Sequence, residues 1–304
     1  MSSGQMRPRV CVVSHSCVVR ANQFVWAKLA TDYPVDLTVV APLAWRTSSG
    51  WVIRLDAVDE LKDRMVGLPV LTRGHPNAFL WWGLGKTLRR LAPDVIILDE
   101  EPYSVAAWQI LRARRRLDAA LVVYTKQNIA KAHPWPFNVV ERLALATVDF
   151  IMATDPGARE VITAKGCLAP VSVVPHVVDP QVYSPGPGEP ILRRLGLRPP
   201  VVGYAGRLVP EKGVMDLLEA VHRLVQDGRA DCSVLVVGDG PERKRLEAFA
   251  HERLPGRFCF AGQVSHEAVP ELYRCMDVLV LPSHDAPHWR EQFGRVLIEA
   301  LACG

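Results

Sequence analysis

Glu291 and Glu299 stand eight residues apart in EQFGRVLIEALACG (291–304), either side of a Phe-Gly turn and the start of an apolar run of helical period. A helix opening at Gly294 turns unpaired N–H groups and a partial positive charge toward its entrance, a seat for phosphate. Glu291 then lies in the loop ahead of the helix and Glu299 about one and a half turns inside it. Eight helical residues rise ~12 Å, roughly the reach from a sugar through a diphosphate to a ribose, so the spacing points to a nucleotide-sugar. Glu299 has Ile298 and Ala300 for company. A carboxylate in such surroundings wants a hydrogen-bond donor, and ribose hydroxyls are good ones.

Cations for the diphosphate come from GRLVPEKG (206–213). The Arg207 fork suits bidentate contact and Lys212 acts as a point charge. The same loop also reads as a solvated basic turn before a helix. In VVGDGPE (236–242), Gly238 and Gly240 permit close backbone approach, while Asp239 reads either as a ligand contact or as a helix cap. The pattern does not complete G-x-G-x-x-G, which weakens a dinucleotide-cofactor reading. The loop at Gly262, Gln263 and Val264 follows a strand, on the side where open α/β sheets bind ligands.

The first half of the chain carries three further groups at predicted strand ends. SHSCVVRANQ (14–23) offers Arg20, Asn22 and Gln23 as exposed donors, with His15 as a base, a switch or a structural histidine. DEEPYS (99–104) aligns Asp99, Glu100 and Glu101, which read as helix-start charge bias or as contacts for hydroxyl-rich or cationic ligands. YTKQNIAKAHPWP (124–136) presents Lys126, Gln127, Asn128 and His133 as hydrogen-bonders for sugar or phosphate.

The elements that must position these residues alternate. Strands are expected at Val10–Ser14, Val35–Ala41, Trp51–Leu55, Leu68–Thr72, Asp94–Leu98, Ala120–Thr125, Phe150–Thr154 and Val171–Pro175. Helical periods occupy Ala21–Tyr33, Phe79–Leu91, Ser104–Leu117, Phe137–Thr147 and Pro156–Lys165. Apolar strands separated by helices predict a doubly wound, mostly parallel α/β domain over residues 1–185. YSPGPGEP (183–190) and RPP (198–200) mark 186–198 as a linker with little helix. The pattern restarts over 199–304, with strands at Val201–Ala205, Ser233–Gly238, Phe258–Ala261 and Asp277–Leu281. Helices follow at Val214–Asp227, Glu242–Glu252, Ser265–Cys275 and Gly294–Cys303. In the order 3-2-1-4-5-6 these four strands form the contiguous 3-2-1-4 part of a second, incomplete Rossmann-like domain.

Charge and composition limit the alternatives. A formal charge of +4 over 304 residues is too small and dispersed to argue for nucleic acid, yet suits an anionic small ligand. Seven irregularly spaced cysteines without Cys-x-x-Cys read as buried reduced thiols. The N-terminal MSSGQMRPRV has no apolar h-region, and no apolar run approaches the ~20 residues of a membrane helix. A cytoplasmic protein is expected. Trp81 and Trp82 with Arg89 and Arg90, and the run Arg112, Arg114, Arg115 and Arg116, read as basic helix faces with tryptophans turned to the core. The alternative is peripheral contact with anionic lipid on the inner face of the membrane.

Taken in order, GRLVPEKG, VVGDGPE, FAGQV, MDVLVLPS and EQFGRVLIEALACG resemble retaining glycosyltransferases of family 4 (glycosyl transferases group 1), most strongly over residues 201–304. The resemblance implies a GT-B architecture of two Rossmann-like domains, the first on the acceptor side and the second binding the donor. It implies a UDP- or GDP-sugar donor, a glycan or lipid-linked acceptor in envelope or exopolysaccharide assembly, and no metal or other cofactor. Arg207 and Lys212 would then bind the diphosphate and Glu291 the sugar hydroxyls, these three forming the catalytic set. Backbone N–H groups from Phe293, Gly294 and Arg295 would meet phosphate and sugar, Glu299 the ribose, and the loops at Gly238, Asp239 and Val264 the base. Same-face attack assisted by the diphosphate would leave no need for an enzyme nucleophile. Three departures stand out: SHSCVVRAN replaces the paired-glycine loop, PHVVD (175–179) brings His176 where the family has asparagine-glycine, and family members continue beyond A-C-G. The last raises two alternatives, a fragment of an active enzyme or a truncated nucleotide-binding remnant. A nucleotide-sugar epimerase or hydrolase of the same fold is a further one.

Overall fold

The computed structural model describes residues 7–46, 50, 52–71, 77–287 and 289–304. The chain divides into two compact units, Met1–Pro175 and His176–Gly304.

In the first unit seven parallel strands form one sheet: β1 (Arg9–Val13), β2 (Asp36–Pro42), β3 (Met65–Leu68), β4 (Val95–Leu98), β5 (Ala120–Thr125), β6 (Phe150–Ala153) and β7 (Val171–Val173). Their spatial order is β7-β6-β5-β4-β1-β2-β3. Helices α1 (Phe24–Asp32), α2 (Leu84–Leu91), α3 (Val105–Arg114), α4 (Phe137–Thr147) and α5 (Pro156–Ala164) connect them. Two separate apolar clusters, one around Ile96, Leu121 and Ile151 and one around Val12, Leu37 and Val39, embed the sheet. Local chemistry sets the helix starts: Ser104 caps α3 by accepting from Ala107 N, and Asp155 caps α5 with Pro156 in its first turn.

Sequence periodicity misplaced the third strand. Val52–Arg54 pairs antiparallel with Ala44–Arg46 in a surface hairpin, and Trp51 lies outside the described residues. The sheet edge is instead Met65–Leu68, four half-buried residues pairing with β2. Gly67 hides this strand from pattern reading, yet an added Cβ there would meet Leu43 Cδ2 at 2.4 Å. Val70–Leu71 pairs with Leu80–Trp81, so the segment from Phe79 is strand and buried core before α2 begins at Leu84. Thr72 lies outside the described residues.

The second unit holds β8 (Val201–Ala205), β9 (Ser233–Val237), β10 (Phe258–Gly262) and β11 (Val278–Leu279), all parallel in the order β10-β9-β8-β11. This is the expected 3-2-1-4 arrangement. α6 (Glu189–Leu195), α7 (Val214–Gln226), α8 (Arg243–Arg253), α9 (Val269–Tyr273) and α10 (Arg295–Cys303) cover it. α6 corrects the reading of 186–198 as a stretch with little helix. Pro190 sits in its first turn, where a missing N–H costs nothing, and Gly196 closes it in the left-handed region. All seven cysteines are free thiols, six buried and Cys259 half-buried. Among the described residues no helix is long and apolar enough to cross a membrane.

Candidate active site

The second unit gathers its motif residues at the carboxyl ends of β8, β9 and β11. Leaving β8, the chain turns at Gly206, and the buried Tyr204 hydroxyl donates to Arg207 O at 2.8 Å. That bond fixes the turn that exposes the Arg207 side chain. A one-turn 3₁₀ helix, Pro210–Lys212, ends at Gly213 and aims Lys212 inward. Lys212 Nζ forms an ion pair with Glu291 and lies 4.9 Å from the centroid of the Trp289 ring. Ser283 Oγ donates to the same Glu291 carboxylate at 3.1 Å. Burial pushes the Tyr204 phenol up; the Glu291 charge adds to the rise and Arg207 opposes it, so both charges act on one hydroxyl.

The GRLVPEKG and VVGDGPE loops lock together through backbone. Gly206 N donates to Val237 O at 2.9 Å, Leu208 N to Asp239 O at 3.0 Å, and Glu242 N to Leu208 O at 3.1 Å. Gly238, at φ 132°, has Gly206 O only 1.9 Å from where a Cβ would stand, so its glycine requirement comes from the neighbouring loop. Asp239 does not cap the helix as one reading expected. Its carboxylate accepts from Gly240 N at 2.7 Å and from Arg243 at 3.0 Å, and the N-cap of α8 is Glu242. Gly262 O accepts from Gly238 N at 2.8 Å, Gln263 is exposed and Val264 packs partly buried.

Gly294, at φ 72°, is the N-cap of α10 and supplies no side-chain acceptor to its first N–H groups. Phe293, just ahead, packs edge-on against His176 at 5.3 Å. Glu299 is buried as its apolar company suggested, and the partners it meets are protein groups. Tyr273 Oη donates to it at 2.8 Å, and Arg295 reaches it at 3.4 Å from one turn earlier. Burial, with Glu299 beside it, pushes the Tyr273 phenol up. Sequence reasoning missed Tyr273, Ser283 and Trp289. Tyr273 had one available signal, a hydroxyl on the otherwise apolar face of α9.

In the first unit, the expected exposed donors are mostly committed to their own loop. Gln23 is fully buried, donating to Cys17 O and Asp56 O and accepting from Val58 N, each at 2.8 Å. Asn22 donates to Ser16 O, and Arg20 holds Asp56 and Ala57 O. The three acids are likewise engaged. Asp99 pairs with Lys126 at 2.7 Å and accepts from Ser14 Oγ at 2.7 Å. Burial would raise its pKa, but Lys126 and Ser14 outweigh that and hold it below the usual carboxylate range. Glu101 accepts from Thr125 Oγ1 at 2.6 Å and Lys126 N at 3.0 Å, while burial pushes its carboxyl up. Glu100 accepts from His15 Nδ1 at 2.7 Å. His133 stacks on Tyr103 at 3.7 Å and its Nε2 lies 3.2 Å from the Gln127 amide, while Lys165 Nζ donates to Glu141 at 2.6 Å. Trp81 is core as expected; Trp82 is 65% exposed, contrary to the expectation that both tryptophans turn inward, and Trp108, on α3, is 40% exposed.

Residues 193–304 match the family described as Glycosyl transferases group 1. The chain is 35% identical over 285 residues to 2-deoxystreptamine glucosyltransferase of Streptomyces kanamyceticus, covering 86% of this chain and 71% of that protein. It is 38% identical over 246 residues to 2-deoxystreptamine N-acetyl-D-glucosaminyltransferase of Streptomyces fradiae, covering 78% of this chain and 53% of that protein. It thus spans about half the length of the second relative. The fold resembles that of Anabaena Alr3699/HepE in complex with UDP and glucose, with a TM-score of 0.68 and 18% identity over 98% of this chain and 79% of that one. Sucrose-phosphate synthase from Thermosynechococcus elongatus has the same likeness of fold, with a TM-score of 0.65 and 19% identity over 98% of this chain and 80% of that one. The parallel sheets thus have the GT-B glycosyltransferase fold, and the chain belongs to the glycosyl transferases group 1 family.

Proposed function

We propose that the protein transfers a sugar from a nucleotide-sugar to a hydroxyl acceptor with retention, as a family 4 enzyme. The donor domain is the second unit (199–304 in the sequence reading) and the acceptor side the first. The observation that carries this reading is the Lys212–Glu291 pair ahead of α10, beside the exposed Arg207. An ammonium, a guanidinium and an unfilled helix entrance suit a leaving diphosphate. Glu291, held by Lys212 and Ser283, then faces sugar hydroxyls, and Glu299, steadied by Tyr273, faces the ribose. Gly238, Asp239 and Val264 line the base, and no metal is needed.

The acceptor we infer is a small polyhydroxylated ring bearing amines, since two relatives carry 2-deoxystreptamine in their names. A glycan or lipid-linked acceptor is the second reading. The exposed Trp82 and Trp108, the latter with Arg112 5.2 Å from its ring centroid, and the exposed Arg89 and Arg90 favour it, because exposed tryptophans and basic side chains suit peripheral binding to anionic lipid at the inner membrane surface. Calorimetry with UDP-, GDP- and ADP-sugars, followed by product analysis with 2-deoxystreptamine, tests the proposal. Binding of one donor and formation of an axial glycoside support it. Failure to bind any of the three overturns it.

A further inference from the structure

Arg243 opens α8 at a point where a cation is out of place. A helix N-terminus carries partial positive charge and favours acids in its first turn, yet α8 begins with an arginine and its first turn holds no acid. Two carboxylates keep the guanidinium there. Nε donates to Glu247 Oε1 at 2.7 Å, one turn further along the helix, and Nη1 donates to Asp239 Oδ2 at 3.0 Å in the loop ahead of it. The second contact draws the side chain back from the helix toward the carboxyl ends of β9 and β10. Nη1 lies 3.1 Å from where a Cβ on Gly262 would stand, so the side chain fits against the end of β10 because that residue has none. Gly238 N donates to Gly262 O at 2.8 Å and ties the same two strand ends together. All of these residues belong to the second unit.

Such a cluster suits a neutral polar edge better than an anion. Two carboxylates on one guanidinium leave no excess positive charge for a phosphate. A guanidinium has five N–H donors, and the bonds to Asp239 and Glu247 take two of them. Nη2 donates to nothing among the described residues, and the side chain is 32% exposed. The fork is planar and never loses its proton, so what it presents is always a donor, in a direction set by its two anchors.

We propose that Arg243, resting on the donor reading above that sets the base against Gly238, Asp239 and Val264, selects a nucleotide whose base carries a carbonyl oxygen over one that carries an amine. Uracil O4 and guanine O6 accept from a guanidinium. Cytosine and adenine bear N–H₂ groups at the corresponding positions, where donor would face donor. Discrimination then has two sources: a charged hydrogen bond made to the keto base, and donors left unpaired against the amino base. Asp239 and Glu247 are positioning residues that hold the fork.

Calorimetric titration of UDP, GDP, CDP and ADP into the whole chain tests this. In wild type the tighter of UDP and GDP leads the tighter of CDP and ADP by ~10- to 100-fold. Arg243→Met removes most of that lead by weakening the keto nucleotides, while CDP and ADP stay within twofold, a pattern that a merely structural role would not produce. Partly exposed ion pairs add little to stability, so this variant should melt close to wild type. Arg243→Lys keeps the charge without the planar fork; it reduces the lead to an intermediate value and serves as the test where Arg243→Met does not fold. A lead that the variants leave unchanged, an equal loss across all four nucleotides, or a wild type that binds CDP or ADP as tightly as the better keto nucleotide overturns this inference alone. Absence of binding by all four in wild type overturns the donor reading as well.

Discussion

Replacing Lys212 by alanine separates ligand binding from folding. Its ammonium is bonded to Glu291 and packs over Trp289, with the two side chains of the pair 14% and 30% exposed. A partly solvated ion pair contributes at most ~1 kcal/mol to stability, so Lys212→Ala should shift the melting temperature by only a few degrees. A charged hydrogen bond from Lys212 to a donor phosphate is worth ~1.5–3 kcal/mol, or about 10- to 150-fold in Kd. The loss has a second component, because Glu291 gives up its Lys212 ion pair and keeps its negative charge near the site where the diphosphate would sit. A double-mutant cycle with Glu291→Gln isolates it: in that background the Lys212 effect should fall toward the bare hydrogen-bond value. The assay is calorimetric titration of UDP into wild type, both single variants and the double variant. A Kd for Lys212→Ala within twofold of wild type would refute the phosphate assignment.

Tyr273→Phe removes the hydrogen bond to buried Glu299. It should cost ~1–3 kcal/mol in urea unfolding and narrow the preference for UDP over 2′-deoxy-UDP, and an unchanged preference would detach Glu299 from the ribose. Lys126→Met strands the buried Asp99 carboxylate and should cost ~3–5 kcal/mol; loss below 1 kcal/mol would show that the network is dispensable. Asp99 is depressed in the fold, so its contribution is present above the unfolded value of ~3.9 and lost as pH falls through the lower folded value. Lys126 is raised, so its share is present below ~10.4 and lost as pH rises through the folded value above that. Stability against pH should therefore fall at both extremes in wild type, and both falls should shrink in the Lys126→Met variant. Sedimentation with vesicles of phosphatidylglycerol should decrease for Arg89→Glu/Arg90→Glu; no binding by wild type would remove the lipid-facing proposal.

Much of the fold was legible because its strands are short continuous apolar runs bounded by turns. Val201–Ala205 and Ala120–Thr125 carry that signal in full, and the restart after Tyr183 marks a second sheet. Met65–Leu68 was not legible, since a glycine in a half-buried strand breaks the apolar run while satisfying a close contact with Leu43. Residue identity also says which groups are polar and not whether they are spent. Asp99, Glu100 and Glu101 looked alike in sequence, yet one holds a lysine, one a histidine and one a threonine. Gln23 looked exposed because its three backbone partners lie up to 35 residues away. Lys212 and Glu291, 79 residues apart, were linked in sequence only through their expected ligand, and the fold links them directly.

The distribution of thiols has a practical consequence. Cys11, Cys17 and Cys167 lie in the first unit, and Cys232, Cys259, Cys275 and Cys303 in the second. Burial pushes all seven away from thiolate, Cys11 and Cys17 to about 12. Alkylating reagents therefore attack each thiol chiefly when its surroundings open. Mass spectrometry of timed iodoacetamide labelling can then resolve the breathing of one half from that of the other, without inserting a probe or removing a native residue.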